Sequence, residues 1–126
     1  MINKQILKWI PSVVFMLTIF IISSQPSYRL PSLDWGDKIF KKGGHMVGYG
    51  LLALSYWYAF GWAGSKRWLA WLLAVLYACT DEFHQSFVLG RHPSVWDVLI
   101  FDNFGALISL WVAERYFNRR KQDENT

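Results

Sequence analysis

Long apolar runs separated by short polar breaks set the plan of this chain. Residues 9–28 contain no Asp, Glu, Lys or Arg, a run of 20, and Lys4 and Lys8 precede it. About 20 such residues, at 1.5 Å rise each, cross the hydrocarbon core of a bilayer. No small-residue cleavage site follows, so the run predicts an uncleaved first transmembrane helix at about residues 5–24. Ser23, Ser24 and Gln25 lead to Pro26, which lacks an N–H and turns Gln25 away from helix. Residues 43–65 form a second uncharged run, of 23, with Gly61 and Gly64 expected to fray its end.

The next two segments are too short. Residues 68–80 are uncharged for only 13 positions, about 20 Å of helix. To span, this helix must continue to about Leu89, carrying Asp81, Glu82 and His84 inside it. Residues 103–113 are uncharged for only 11 positions. A spanning helix there must start near Val95 and take Asp97 and Asp102 with it. The pattern predicts an all-α, integral membrane bundle of four transmembrane helices, one domain over residues 1–126, with a polar frayed tail from Arg115.

The break at residues 27–42 adds detail. Asp34 or Asp37 is expected to cap the second helix. Lys38, Lys41, His45 and Tyr49 recur at helical spacing and share a stripe. Gly44 and Gly48 make a small-xxx-small pair, which predicts close approach of a neighbouring helix.

Composition agrees with a membrane chain: 53% hydrophobic, 18% aromatic and 17% charged. The formal charge of +4 sits at the ends of apolar runs, which is topology rather than nucleic-acid affinity. With the N-terminus inside, Lys4, Lys8, Lys66, Arg67, Arg115, Arg119, Arg120 and Lys121 face the cytoplasm. Arg29, Lys38, Lys41, Lys42 and Arg91 face outward, eight cations against five. The positive-inside rule therefore predicts both termini inside, N-in/C-in, in a multi-pass protein. Cys79 is alone, so no disulfide within the chain and no cysteine-based metal site can form.

This topology gathers four distant segments in the outer half, and residues 81–97 dominate them. Intramembrane carboxylates cost about 2.5–3.5 kcal/mol each on insertion scales and mark functional sites by default. Asp81, His84 and Gln85 share a helix face, where a carboxylate beside an imidazole suits acid–base chemistry. Glu82 lies about 100° around the helix. An ion-pair knot with Arg91 or Lys41 is the structural alternative. The guanidinium of Arg91, with Lys38 and Lys41, suits a phosphate or carboxylate, against plain interfacial snorkelling for the lysines. Asp97 suits a helix start. Asp102, Gly105 and Ser109 share one face that predicts packing into the bundle. His45 is either an interior hydrogen-bonded histidine or a ligand-binding one. His45, Asp81, Glu82, His84 and Asp97 offer N and O ligands, but no His-Glu-x-x-His pattern occurs and no metal or other cofactor is assigned.

Ser23-Ser24-Gln25-Pro26, Asp37-Lys38 with His45 and Tyr49, Asp81-Glu82-Phe83-His84-Gln85 with Gly90-Arg91, and Asp97 with Asp102 and Gly105 occur in that order. In these the chain resembles the VanZ-like family from about the first helix to the fourth. The resemblance implies a small integral protein of the bacterial cytoplasmic membrane, in a family whose namesake is associated with teicoplanin resistance. Three activities follow as expectations. One is an envelope enzyme acting on a lipid-linked or cell-wall substrate, with Asp81, Glu82, His84, Asp97 and Asp102 doing chemistry. In it Arg91, Gln85, His45, Lys38, Lys41 and Tyr49 hold substrate. The second is a non-enzymatic factor altering glycopeptide access. The third is a small dimeric transporter, disfavoured because the charges sit toward one face rather than the midplane. Membrane lipids are the expected partners, nucleic acid is not, and a homo-oligomer is compatible.

Overall fold

The computed structural model describes residues 3–25, 34–90 and 95–126. Within them every regular element is helical: α1 (Lys4–Leu7), α2 (Ile10–Ser23), α3 (Asp34–Ala59), a 3₁₀ turn (Gly64–Lys66), α4 (Arg67–Gln85), α5 (Val95–Asp97), a π-helical turn (Val98–Asp102) and α6 (Asn103–Glu124). Asn3 caps α1 by accepting from the Gln5 N–H at 3.0 Å. Pro11 sits in the first turn of α2, where a missing N–H costs nothing. Together α1 and α2 run Lys4–Ser23, 20 residues. Among the described residues this is the one stretch long and apolar enough, by length and composition, to cross a membrane.

Helices α2, α3, α4 and α6 form the bundle, and the α3–α6 interface is the most extensive. The chain runs up and down. At one end Gln5 donates to the Ala59 carbonyl, Trp57 packs on Phe117, and Arg67 pairs with Glu114. At the other, Ser23 and Ser24 of α2 meet Gln85 and His84 of α4, and His45 of α3 meets Asp102.

Residue size decides how the helices meet. Ala70, Ala74 and Ala78 recur every fourth position along the inward face of α4 and are essentially fully buried. These small side chains accommodate the large ones of α3, where Tyr49, Leu52, Tyr56 and Trp57 are buried in the same cluster. Between α3 and α6 the contact is tighter still. A Cβ at Gly105 would run into the Met46 carbonyl, and one at Gly50 would run into the Ser109 hydroxyl and lie 3.0 Å from the Gly105 carbonyl. Among the described residues the expected close approach at Gly44 and Gly48 is not found, since a Cβ at either meets none of them within 4 Å. The glycines that matter lie further along α3 and on α6, set by the inward face of Asp102, Gly105 and Ser109, with Asp102 and Gly105 buried and Ser109 half-buried.

Several boundaries differ from expectation, each for a local reason. Helix α3 starts at Asp34, so Asp37 is inside it and not its cap. It ends at Ala59 instead of running to residue 65. Gly61 is left-handed (φ 69°), the Trp62 N–H reaches the Trp57 carbonyl at 3.0 Å, and the Gly61 N–H reaches Tyr58 at 2.9 Å. That is a Schellman stop, completed by a Trp57–Trp62 edge contact at 5.2 Å. Helix α4 does continue past Thr80 through His84 but stops at Gln85, short of Leu89. There the Ser86 hydroxyl bonds the Phe83 carbonyl at 2.6 Å and tighter turns follow. The tail from Arg115, expected to fray, is helical to Glu124. Phe117 anchors it on Trp57 and Trp62, and Arg120 and Glu124 pair at i, i+4.

Candidate functional site

The site lies at the end of the bundle where α2 and α4 finish. Helix α3 contributes His45 and Tyr49, one turn apart, with their rings near parallel at 6.0 Å between centroids. Each meets a carboxylate from a different helix. The Tyr49 hydroxyl donates to Asp81 Oδ2 at 2.8 Å. His45 Nδ1 lies 3.3 Å from Asp102 Oδ1.

Both carboxylates are deep, Asp81 5% exposed and Asp102 2%. Asp81 is brought inward because it continues the alanine face of α4, three residues after Ala78. Asp102 is brought inward by the π-helical turn, which widens the backbone there and turns Val98 and Asp102 to the interior together. Such turns inside α-helices are frequent at functional sites.

Gln85 ties α4 to α2. Its Nε2 donates to Asp81 Oδ2 at 3.1 Å and to Ser23 Oγ at 3.3 Å, using both hydrogens. Asp81 Oδ2 therefore accepts twice, from Tyr49 and Gln85, while the buried Oδ1 has no hydrogen-bond partner among the described residues. A buried carboxylate oxygen without a donor is the acceptor that a ligand hydroxyl, amine or proton would find.

His84 stands beside this group, stacked on Phe20 at 4.6 Å. Its Nε2 is 2.9 Å from Ser24 Oγ. The Ser24 hydroxyl spends its hydrogen on the Phe20 carbonyl at 2.7 Å, so it can only accept from the ring. The expected pairing of Asp81 with His84 does not form. Asp81 turns to Tyr49 and Gln85, and His84 turns to Ser24. The carboxylate–imidazole pair of this bundle is Asp102 with His45, joining α6 to α3. His45 Nδ1 is buried at ion-pair distance from Asp102 without a hydrogen bond of good geometry, and 31% of the side chain is open, which leaves the ring an accessible edge.

The other expected residues fall as follows. Glu82 is half-buried on α4. Lys38 and Lys41 lie on the first turns of α3, and Asp97 closes α5. Arg91 lies outside the described residues. Among the described residues no three His, Cys, Asp or Glu side chains converge as a metal ion would need. Ser23 and Ser24, read in the sequence only as the end of the first helix, reach Gln85 and His84. The sign available in sequence was their place at the far end of the first apolar run, level with His84 and Gln85. Tyr77, whose hydroxyl donates to the Met16 carbonyl at 2.6 Å, and Trp71, which donates to Asn103 at 2.7 Å, were not expected and brace α4 against α2 and α6.

No curated protein and no solved structure matches the chain. The sequence profile of one family, described as VanZ/LLP1, matches residues 2–117, nearly the whole bundle and every residue of the site. The chain belongs to the VanZ/LLP1 family.

Proposed function

We propose that the chain is a multi-pass protein of the bacterial cytoplasmic membrane, with four spans and both termini inside. In this reading its buried polar site faces the outer half of the bilayer and acts on a lipid-linked or cell-wall substrate. The observation that carries the reading is two buried carboxylates, Asp81 against Tyr49 and Asp102 against His45 one turn away on α3, with Asp81 Oδ1 left for a ligand. Buried carboxylates are costly and in an apolar bundle are retained for function. The membrane setting is supported by Lys4–Ser23 and by a broadly apolar surface, where Val47, Leu76, Trp111 and Val112 are each more than half exposed.

In the enzymatic form Asp102 orients His45, and the open edge of the imidazole moves a proton to or from substrate. Asp81 Oδ1 accepts a substrate donor while Tyr49 and Gln85 hold Oδ2. His84 stands beside this group on Ser24 and Phe20, and the sequence pattern assigns Glu82 and Asp97 to the chemistry and Arg91, Lys38 and Lys41 to a phosphate. The family supports a link to glycopeptide resistance, teicoplanin included. The non-enzymatic form binds the same substrate and alters antibiotic access without turnover. Mass spectrometry of lipid-linked wall precursors, in cells lacking the chain and in cells overproducing it, separates the two. A precursor species that changes in mass with chain level supports an enzyme. An unchanged profile with altered teicoplanin susceptibility supports the binding factor, and no change in either refutes both. Proton-gradient-driven uptake into vesicles would instead favour a transporter.

A further inference from the structure

The opposite end of the bundle carries a second feature. Between the start of α4 and the middle of α6 lies a cleft of about 570 Å³, a size typical of small-ligand sites. Its walls are Trp68, Trp71, Leu107, Leu110 and Trp111. Trp68 and Trp111 are 60% and 56% exposed, so their rings are spread on the surface of the cleft rather than packed into the core. The cleft has a polarity. Leu107 and Trp71 form an apolar floor toward the middle of the bundle, and Ser65 with the Arg67–Glu114 pair closes the outer rim.

Cations then continue past the rim. Arg115 lies over the Trp111 ring at 5.1 Å, and Arg115 and Arg119 line an adjoining groove that shares Trp111 and Glu114 with the cleft. Lys66 precedes Arg67 in the turn. Glu114 is the one carboxylate lining the cleft and groove, against Arg67, Arg115 and Arg119.

We propose that this cleft binds an anionic diacyl phospholipid, its acyl chains along Trp71, Leu107 and Leu110 and its phosphate on Arg115 and Arg119. The inference rests on the membrane reading above and is independent of the His45–Asp81 site. An apolar floor topped by a cationic rim matches the order of parts in a lipid, tails inward and head outward. Tryptophan at the head-group level and basic residues just beyond it are how membrane proteins hold anionic lipids. A soluble anion would leave the apolar floor bare, and a second copy of the chain would bring the same cations against themselves.

The test uses the full chain purified in detergent and mixed with equal amounts of phosphatidylglycerol and phosphatidylcholine, with retained lipid read by native mass spectrometry. The wild type is expected to keep phosphatidylglycerol selectively. Joint Arg115→Gln and Arg119→Gln, both exposed positions, should lower that selectivity about fivefold or more, since each basic residue near an anionic surface contributes on the order of 1 kcal/mol. Leu107→Trp should fill the floor and lower retention of both lipids. Joint Lys4→Gln and Lys8→Gln removes the same charge at the same end and should change nothing. Equal retention of the two lipids, indifference to the arginine pair, or a lipid-free dimer that Leu107→Trp disrupts would overturn the proposal. Alkaline extraction of membranes tells which idea has failed. A chain released to the soluble fraction removes the membrane reading as well, whereas one that stays integral limits the failure to the cleft.

Discussion

Removing the Tyr49 hydroxyl tests whether the buried carboxylate is held as described. In Tyr49→Phe, Asp81 Oδ2 loses the 2.8 Å donor and keeps only the 3.1 Å one from Gln85, while Oδ1 still has no partner among the described residues. Hydrogen bonds between helices in membrane proteins average about 0.6 kcal/mol, whereas a bond to a charged group contributes about 1.5–3 kcal/mol. Tyr49 donates to a carboxylate that is 5% exposed, so the larger figure applies. For a domain of this length about 1 kcal/mol moves the melting point by about 4 °C, which places Tyr49→Phe about 6 °C or more below the wild type. A cycle with Asp81→Asn and the double variant isolates the pair, read by thermal unfolding in detergent at fixed pH. A coupling of about 1 kcal/mol or more is expected. Additive single effects, within about 0.3 kcal/mol, would refute the claim that the Tyr49 hydroxyl holds Asp81.

Four further outcomes follow from the packing and topology. Gly105→Ala drives a Cβ into the Met46 carbonyl and should destabilise by about 1–3 kcal/mol. Gly44→Ala meets nothing within 4 Å among the described residues and should be neutral or stabilising by about 0.5–1 kcal/mol, both measured as melting points. Phe117→Ala removes the anchor on Trp57 and Trp62, so helix content measured by circular dichroism should fall by the length of the α6 tail. After replacement of the exposed Cys79 by Ala, a cysteine at Leu89, 79% exposed, should react with an impermeant maleimide in intact cells, and protection there would reverse the proposed orientation.

Much of this was readable in the sequence from the spacing of polar residues within apolar runs. The third run was expected to continue as helix past Thr80, and it does, with Asp81 and His84 on α4, while the Asp102–Gly105–Ser109 spacing matches the inward face of α6. Pairing was not readable. Asp81 and His84 share a face by spacing, yet partners are chosen across helices, and the choice depended on where the π-helical turn rotated Asp102. Nothing in the local sequence announces that turn. Gly44 and Gly48 had the right spacing on the wrong part of α3, because contact depends on where α6 crosses rather than on spacing alone. The α6 tail is polar by composition, and only the three-dimensional position of Trp57 and Trp62 explains why Phe117 keeps it helical.

The central claim is that Asp81, Asp102 and His45 form the working site. It is tested most directly by restoring the chain to cells that lack it, as wild type, Asp81→Asn, Asp102→Asn or His45→Ala. Lipid-linked wall precursors and teicoplanin susceptibility are then read at matched membrane levels. The account predicts that the wild type restores the parental state and that each variant, present in equal amount, fails to. Full restoration by any one of the three would contradict it.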